Sequence, residues 1–268
     1  MDFLYNKTSI GYSHINLKSP CQDYSEIYVD KKFKIITVCD GHGGKLYIRS
    51  KIGAKLASNS VIEVFKKYSE KRLESIIINH GLDKLKLEIL CKWNEYIEKD
   101  YSMNHFNKEE ISLLSEDEIF KLENNYVLAY GTTLNASILT KKYLICIQIG
   151  DGGIYLIKKK KIINAFPQND NNVANITNSL CEDRAYLHLH ILSVKKNKYN
   201  GVIMCSDGLL TPYNTYDNFY DNFVIPFLIK FKIITKKNIE EIDEFIDLLG
   251  NKVGNGDDVS LACMLYER

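Results

Sequence analysis

Three runs of apolar, β-prone residues in this chain end abruptly in Asp-Gly. Residues 35–39 lead into Asp40-Gly41-His42-Gly43-Gly44, residues 144–150 into Asp151-Gly152-Gly153, and residues 202–206 into Asp207-Gly208. A further acidic pair, Asp257-Asp258, stands just before the strand-like run 259–266. Carboxylates at the ends of buried strands are held in place by the sheet, and glycine lets the backbone turn away beside them. If those strand ends converge, they gather hard oxygen ligands that repel one another until divalent cations fill the gap, with Mg²⁺ or Mn²⁺ the natural occupants.

Taken singly, each Asp-Gly has a plainer explanation, because the dipeptide is among the commonest hairpin turns. Asp151-Gly152 is the most open to it, with Ile149 and Ile154 placed as hairpin partners. The set as a whole resists that explanation. Asp40 is followed by glycines and then a helical pattern, Asp207 by Leu209-Leu210-Thr211-Pro212, and Asp257 precedes its strand. His42 lies two residues from one of the carboxylates. A histidine there either hydrogen-bonds within the turn or protonates a leaving group near neutral pH.

The elements that must position these residues follow from periodicity. Strands are expected over residues 9–13, 24–30, 33–39, 131–139, 143–149, 154–157, 162–166, 187–194, 202–206 and 259–266. Apolar residues recurring every three to four positions predict helices over 48–68, 82–100 and 238–250, the last closing on Gly250 as a C′ residue. Residues 109–125 read as a short helix followed by a loop, 167–183 as a loop or lid, and 219–234 as an apolar, aromatic stretch. Lys158 to Lys161 read as a solvated hairpin tip. Helices held in blocks and few βαβ alternations give an α+β class with antiparallel sheets. No Pro/Gly/Ser-rich linker divides the 268 residues, so a single domain over 1–268 is expected.

Bulk properties narrow the function. The formal net charge is +1, with lysines and acidic residues interspersed along the chain. That excludes the overall basic character that gathers nucleic acid or anionic lipid, and no nucleic-acid or membrane partner is expected. No apolar stretch approaches the roughly 20 residues that span a bilayer. Seven cysteines include no C-x-x-C pair, which argues against structural zinc. Their odd number and the absence of a signal-like N-terminus point to a reducing cytoplasm.

The ordered blocks resemble those of the metal-dependent protein Ser/Thr phosphatases of type 2C. Gln22-Asp23, Asp40-Gly41-His42-Gly43-Gly44, Gly131-Thr132-Thr133-Leu134, Gly150-Asp151-Gly152, Ser206-Asp207-Gly208-Leu209 and Gly256-Asp257-Asp258-Val259-Ser260 follow in the family's order across about residues 9–266. Residues 11–14, 20–23 and 43–50 are similar to a bacterial-type branch. The resemblance implies a four-layer α-β-β-α sandwich of two antiparallel sheets flanked by helices, acting as a monomer. It implies two Mn²⁺ or Mg²⁺ ions, with Asp40 bridging both, the Gly41 carbonyl on one, and Asp207 and Asp257 on the other, partly through water. Asp23 would stand in or next to this ligand set, Asp151 would help bind a third, weaker metal, and His42 would be the general acid. Substrates would be proteins phosphorylated on Ser or Thr, with a cognate Ser/Thr kinase as a further partner.

The chain departs from the pattern in four places. Gln22 stands where some members have Glu, Asp258 replaces the usual Asn, Gly153 stands where the Arg of G-D-S-R falls, and Lys18 is the nearest counterpart of a phosphate-gripping Arg. The implied mechanism is hydrolysis without a phospho-enzyme: two cations about 4 Å apart acidify a shared water, and the resulting hydroxide attacks phosphorus in line. Two alternatives stay open: a catalytically silent binding module with the same fold, and another two-metal phosphohydrolase such as a nuclease.

Overall fold

The computed structural model describes residues 2–159, 161–167, 177–230 and 235–266. Its strands are β1 (Phe3–Ser9), β2 (Tyr24–Val29), β3 (Lys34–Cys39), β4 (Leu134–Leu139), β5 (Tyr143–Ile149), β6 (Gly153–Lys158), β7 (Lys161–Asn164), β8 (His190–Lys195), β9 (Gly201–Cys205) and β10 (Val259–Leu265). They form two five-stranded sheets, β1-β10-β9-β6-β7 and β2-β3-β4-β5-β8, in which every neighbouring pair is antiparallel.

Central strands are apolar on both faces, and side-chain alternation decides what each face meets. In β3, Ile36 and Val38 point between the sheets, whereas Ile35 and Cys39 meet helices. In β9, Val202 and Met204 point between the sheets, whereas Ile203 and Cys205 face the helices on the opposite side. Three apolar layers result: one between the sheets and one outside each.

The helices are α1 (Tyr12–Leu17), α2 (Ser50–Lys66), α3 (Glu70–Ile78), α4 (Leu82–Met103), α5 (Glu116–Asn124), α6 (Ala185–His188), α7 (Asp207–Leu210), α8 (Tyr216–Phe219), α9 (Ile225–Lys230) and α10 (Lys236–Leu248). α2 and α4 pack Val61, Phe65, Ile89 and Trp93 onto the sheet containing β3. The C-terminal helices pack Phe219, Phe227 and Ile246 onto the sheet containing β9. This is the expected α-β-β-α sandwich.

Several expectations are corrected. Residues 9–13 are not a strand: β1 ends at Ser9, and the Gly11 amide donates to Asp258 Oδ1 at 2.7 Å, turning the chain off the sheet into α1. In 109–125 the helix comes last, fixed by a capping box in which Ser115 and Glu118 satisfy each other's backbone amides. In 187–194 the Leu189 amide closes a helical turn on Ala185 O at 2.8 Å, and the strand begins only at His190. Gly250 is not a left-handed cap, because the helix continues through it as a π-turn over Leu249–Val253. Of 167–183 and 219–234, residues 168–176 and 231–234 lie outside the described residues.

Candidate metal centre and catalytic site

Antiparallel register brings the acidic residues to one end of the sandwich. Tyr24 pairs with Cys39 and Leu134 with Ile149 in one sheet; Gly153 and Leu261 both pair with Cys205 in the other. Asp23 and Asp40 adjoin these terminal pairs, Asp151 and Asp207 lie two residues from them, and Asp257 lies two residues before β10. Asp151-Gly152 is therefore no hairpin turn. It is the crossover at which the chain leaves the sheet of β5 and enters that of β6.

Asp40 is pinned through its backbone. Its carbonyl accepts from Thr133 N at 2.8 Å and Thr132 Oγ1 at 2.9 Å, and its amide donates to Thr133 Oγ1 at 3.0 Å. Gly41 follows because nothing larger fits: a Cβ there would lie 2.7 Å from Gln22 O and 2.9 Å from Ser50 O. The His42 amide donates to Gly131 O at 3.1 Å, and the imidazole packs edge-on against Tyr47 at 4.9 Å between ring centres.

The loop bearing Asp151 is tied across both sheets. Gln148 Nε2 donates to Gly152 O at 2.6 Å and Asn135 Oδ1 at 3.0 Å, while Asn135 Nδ2 donates to Cys205 O at 3.3 Å. Thr177 Oγ1 donates to Asp151 Oδ2 at 2.5 Å. Asp258, one of the four departures from the family pattern, is a buried clamp. One of its oxygens takes Gly11 N at 2.7 Å with His14 Nδ1 at 2.9 Å, and the other takes Gln22 N at 2.6 Å. It thereby fixes the segment that carries Asp23.

The carboxylates crowd one another. Burial first, then the charge of Asp258, pushes the Asp23 carboxyl up to about 8. Burial and the charges of Asp23 and Asp207 hold the Asp40 carboxyl well above the usual range, and the Asp40 and Asp207 carboxyls are within hydrogen-bonding reach of each other. Asp207 and Asp257 are raised too, in each case chiefly by lost hydration and also by acidic neighbours. Burial lowers the His42 imidazole, against the opposing charge of Asp151.

Such a cluster is unstable as a set of bare anions. Asp23 Oδ2, Asp207 Oδ1 and Gln22 Oε1 are buried without a hydrogen-bond partner among the described residues. Oxygen donors left unsatisfied amid excess negative charge fit hard divalent cations. Among the described residues no three His, Cys, Asp or Glu side chains close around one point. An ion held here would therefore also draw on backbone carbonyls and water, as Mg²⁺-sized ions commonly do.

Lys18 lies at the end of the helix that follows Gly11. It is exposed, in the left-handed C-cap position of α1, and its amine makes no ion pair among the described residues. Arg49 is buried and engaged elsewhere, with Glu110 at 2.7 Å and the Tyr130 hydroxyl at 2.7 Å. The positioning roles of Thr133, Asn135, Gln148 and Asp258 escape motif reading. The one available signal is the presence of polar residues within otherwise apolar strand runs at 135 and 148. Beside Asp151 and Asp207 opens a cavity of about 720 Å³, floored by Tyr155 and Phe219 and rimmed by Thr211, Asn214 and Tyr216.

The fold recurs in known structures. The chain is similar to a bacterial serine phosphatase, with 16% identity and a TM-score of 0.64 over 100% of this chain and 98% of that one. It is similar to the serine/threonine phosphatase Stp1 from Staphylococcus aureus, with 18% identity and a TM-score of 0.60 over 100% and 96%. It is also similar to the catalytic domain of the serine threonine protein phosphatase PstP in complex with two manganese ions, with 14% identity and a TM-score of 0.58 over 98% and 97%. No curated protein sequence gives a match. The sequence model for protein phosphatase 2C matches residues 10–242, most of the chain. The acidic strand ends gathered by two antiparallel sheets thus have their sequence counterpart, and the chain belongs to the protein phosphatase 2C family.

Proposed function

We propose that the chain is an active, metal-dependent phosphatase acting on phosphoserine and phosphothreonine in proteins. The observation that carries this reading is the convergence of Asp40 and Asp207, with buried oxygens left unsatisfied, beside an open cavity. Asp23, Asp40, Asp207, Asp257 and the Gly41 carbonyl would hold two divalent cations, and Asp151 would contribute to a third, weaker site; PstP, crystallised with two manganese ions, supports manganese as one occupant. Bound there, such cations would act as Lewis acids toward the phosphoryl group and lower the pKa of water held beside them.

The protein's own groups do the remaining work. Thr132 and Thr133 hold the Asp40 backbone at a fixed height on its strand, so its carboxylate projects from a rigid base. Asp258 keeps Asp23 from following the N-terminal segment outward. His42, anchored through its amide and its contact with Tyr47, donates a proton to the departing serine or threonine alkoxide. The cavity beside Asp151 accommodates substrate residues next to the phosphorylated one.

Activity of the full chain on p-nitrophenyl phosphate and a phosphothreonine peptide, with Mn²⁺, Mg²⁺ or EDTA, tests the reading. Turnover should require the cation. Asp40→Asn should cost more than about tenfold, or roughly 1.4 kcal/mol in barrier, with a melting temperature in EDTA no lower than that of the wild type. Absence of turnover by the wild-type protein with every cation would instead identify a binding module.

A further inference from the structure

The strand connections divide between the two ends of the sandwich. One end carries the acidic residues. At the other, the chain passes from β2 to β3 (residues 30–34), β4 to β5 (140–143), β6 to β7 (158–161) and β8 to β9 (195–200). Among the described residues these four connections hold eleven lysines and one carboxylate, Asp30. The sheets are linked at this end: Lys196 Nζ stands 5.2 Å from the centre of the Tyr266 ring, and Lys34 pairs with Asp2 ahead of β1, while Lys159 N donates to Asn200 Oδ1 at 3.0 Å within one sheet. A net charge of +1 thus conceals two separated poles, acidic at the site and basic opposite it.

Little neutralises the basic pole. Glu70 and Glu74 approach Lys141 and Lys142 at 3.5 and 2.8 Å, but both lysines stay largely in water, where such pairs are weak. Lys31, Lys158, Lys159, Lys161, Lys195 and Lys198 are exposed and form no ion pair among the described residues. A cleft of about 420 Å³ opens between the 140–143 and 195–200 connections, lined by lysines of both with Tyr143 and Asn197.

We infer that this end docks on the surface of an anionic phospholipid bilayer. Among the described residues of the four connections, every exposed residue is a lysine except Asn197. Phe33 is buried, and Tyr143 and Tyr199 are half-buried, so no aromatic platform is offered to unstacked bases. Among the described residues of these connections no exposed apolar or aromatic side chain forms the centre that a protein interface is built around; the exposed Val29 stands alone beside them. A plate of mobile point charges suits a plane of lipid phosphates, where juxtaposed lysines add their attraction within a Debye length. Docked this way, the acidic cleft faces away from the like-charged membrane and stays open to substrate.

Co-sedimentation of the full chain with phosphatidylcholine vesicles, with or without about a third phosphatidylglycerol, tests the inference. Binding is expected to the anionic vesicles alone, and to be lost as salt rises from about 0.05 to 0.5 M. The triple variant Lys158→Glu/Lys159→Glu/Lys161→Glu and, separately, Lys195→Glu/Lys198→Glu should each weaken it by roughly tenfold or more. Melting temperature and turnover of p-nitrophenyl phosphate should stay at wild-type values, so a loss of binding is not a loss of fold. Equal binding to neutral vesicles, or undiminished binding by both variants, would overturn the inference. So would tighter binding, at the same salt, to a single-stranded DNA of about 30 nucleotides.

Discussion

At His42 two forces oppose each other: burial drives the proton off the imidazole, and the negative charge of Asp151 holds it on. The net direction is downward, which makes the imidazolium a stronger acid while leaving fewer molecules protonated at neutral pH. That balance suits a group that must release a proton to an alkoxide, and it gives a kinetic signature. A serine or threonine alkoxide needs the proton in the transition state, whereas p-nitrophenolate hardly does. His42→Ala should therefore slow a phosphothreonine peptide by about 10²–10⁴-fold and p-nitrophenyl phosphate far less, compared by kcat at saturating Mn²⁺. Equal losses on the two substrates would reduce His42 to a packing partner of Tyr47. Asp151 illustrates the limit of residue-level reading. Its Asp-Gly pair is compatible with a hairpin, and only the assignment of β5 and β6 to different sheets rules that out.

Elements were legible where a pattern was long or locally capped. β5 spans the residues its sequence predicts, and β2, β3, β6, β9, β10, α2 and α4 agree with expectation to within a few residues, because each carries a sustained two- or 3.6-residue period. α3 was missed because it buries only Leu73 and is started by the Ser69 cap rather than by an apolar stripe. The Ser115-to-Glu118 capping box was present in the sequence and locates α5 correctly once it is read. The turn at Gly11 could not have been found locally, since the group holding it, Asp258, lies 247 residues away. A similar long-range constraint acts on α2. A Cβ on Gly53 would lie 1.9 Å from Tyr130 O, and the Trp93 indole already donates to Gly53 O at 3.1 Å. In most helices Gly→Ala stabilises by about 0.5–1 kcal/mol. Here Gly53→Ala should instead destabilise by about 1–3 kcal/mol, because the obstacle is backbone and no rotamer relieves it. The melting temperature should fall by roughly 2–4 °C per kcal/mol. Activity should fall as well, since Tyr130 leads directly into the Thr132-Thr133 pair that holds Asp40. Gly81→Ala, whose nearest contact is an ordinary 3.4 Å, is the control and should change little.

On the scale of the whole molecule, the sandwich concentrates acidic groups at one end, and without bound cations that concentration opposes folding. Asp23, Asp40, Asp207 and Asp257 all hold protons more tightly in the folded chain than an unfolded chain would, Asp23 up to about 8. Between about pH 4 and pH 8 these four groups consequently bind more protons in the folded state than in the unfolded one, and their contribution to stability falls as pH rises. The contribution is fully present below the ordinary carboxylate range and is lost on passing through the raised folded values. A divalent cation reverses this trend, because it takes the place of the protons and binds more tightly as the carboxylates ionise. Melting curves in EDTA should therefore decline from about pH 5.5 to 8, while curves in saturating Mn²⁺ should hold steady or rise. Cation at a hundredfold excess over its dissociation constant contributes about 2.7 kcal/mol. At roughly 2–4 °C per kcal/mol, the two curves should stand about 5–10 °C apart at pH 8. The gap should close toward pH 5, where protons satisfy the same oxygens. A gap that is constant with pH, or that widens in acid, would mean that the cation stabilises the protein somewhere other than at these carboxylates.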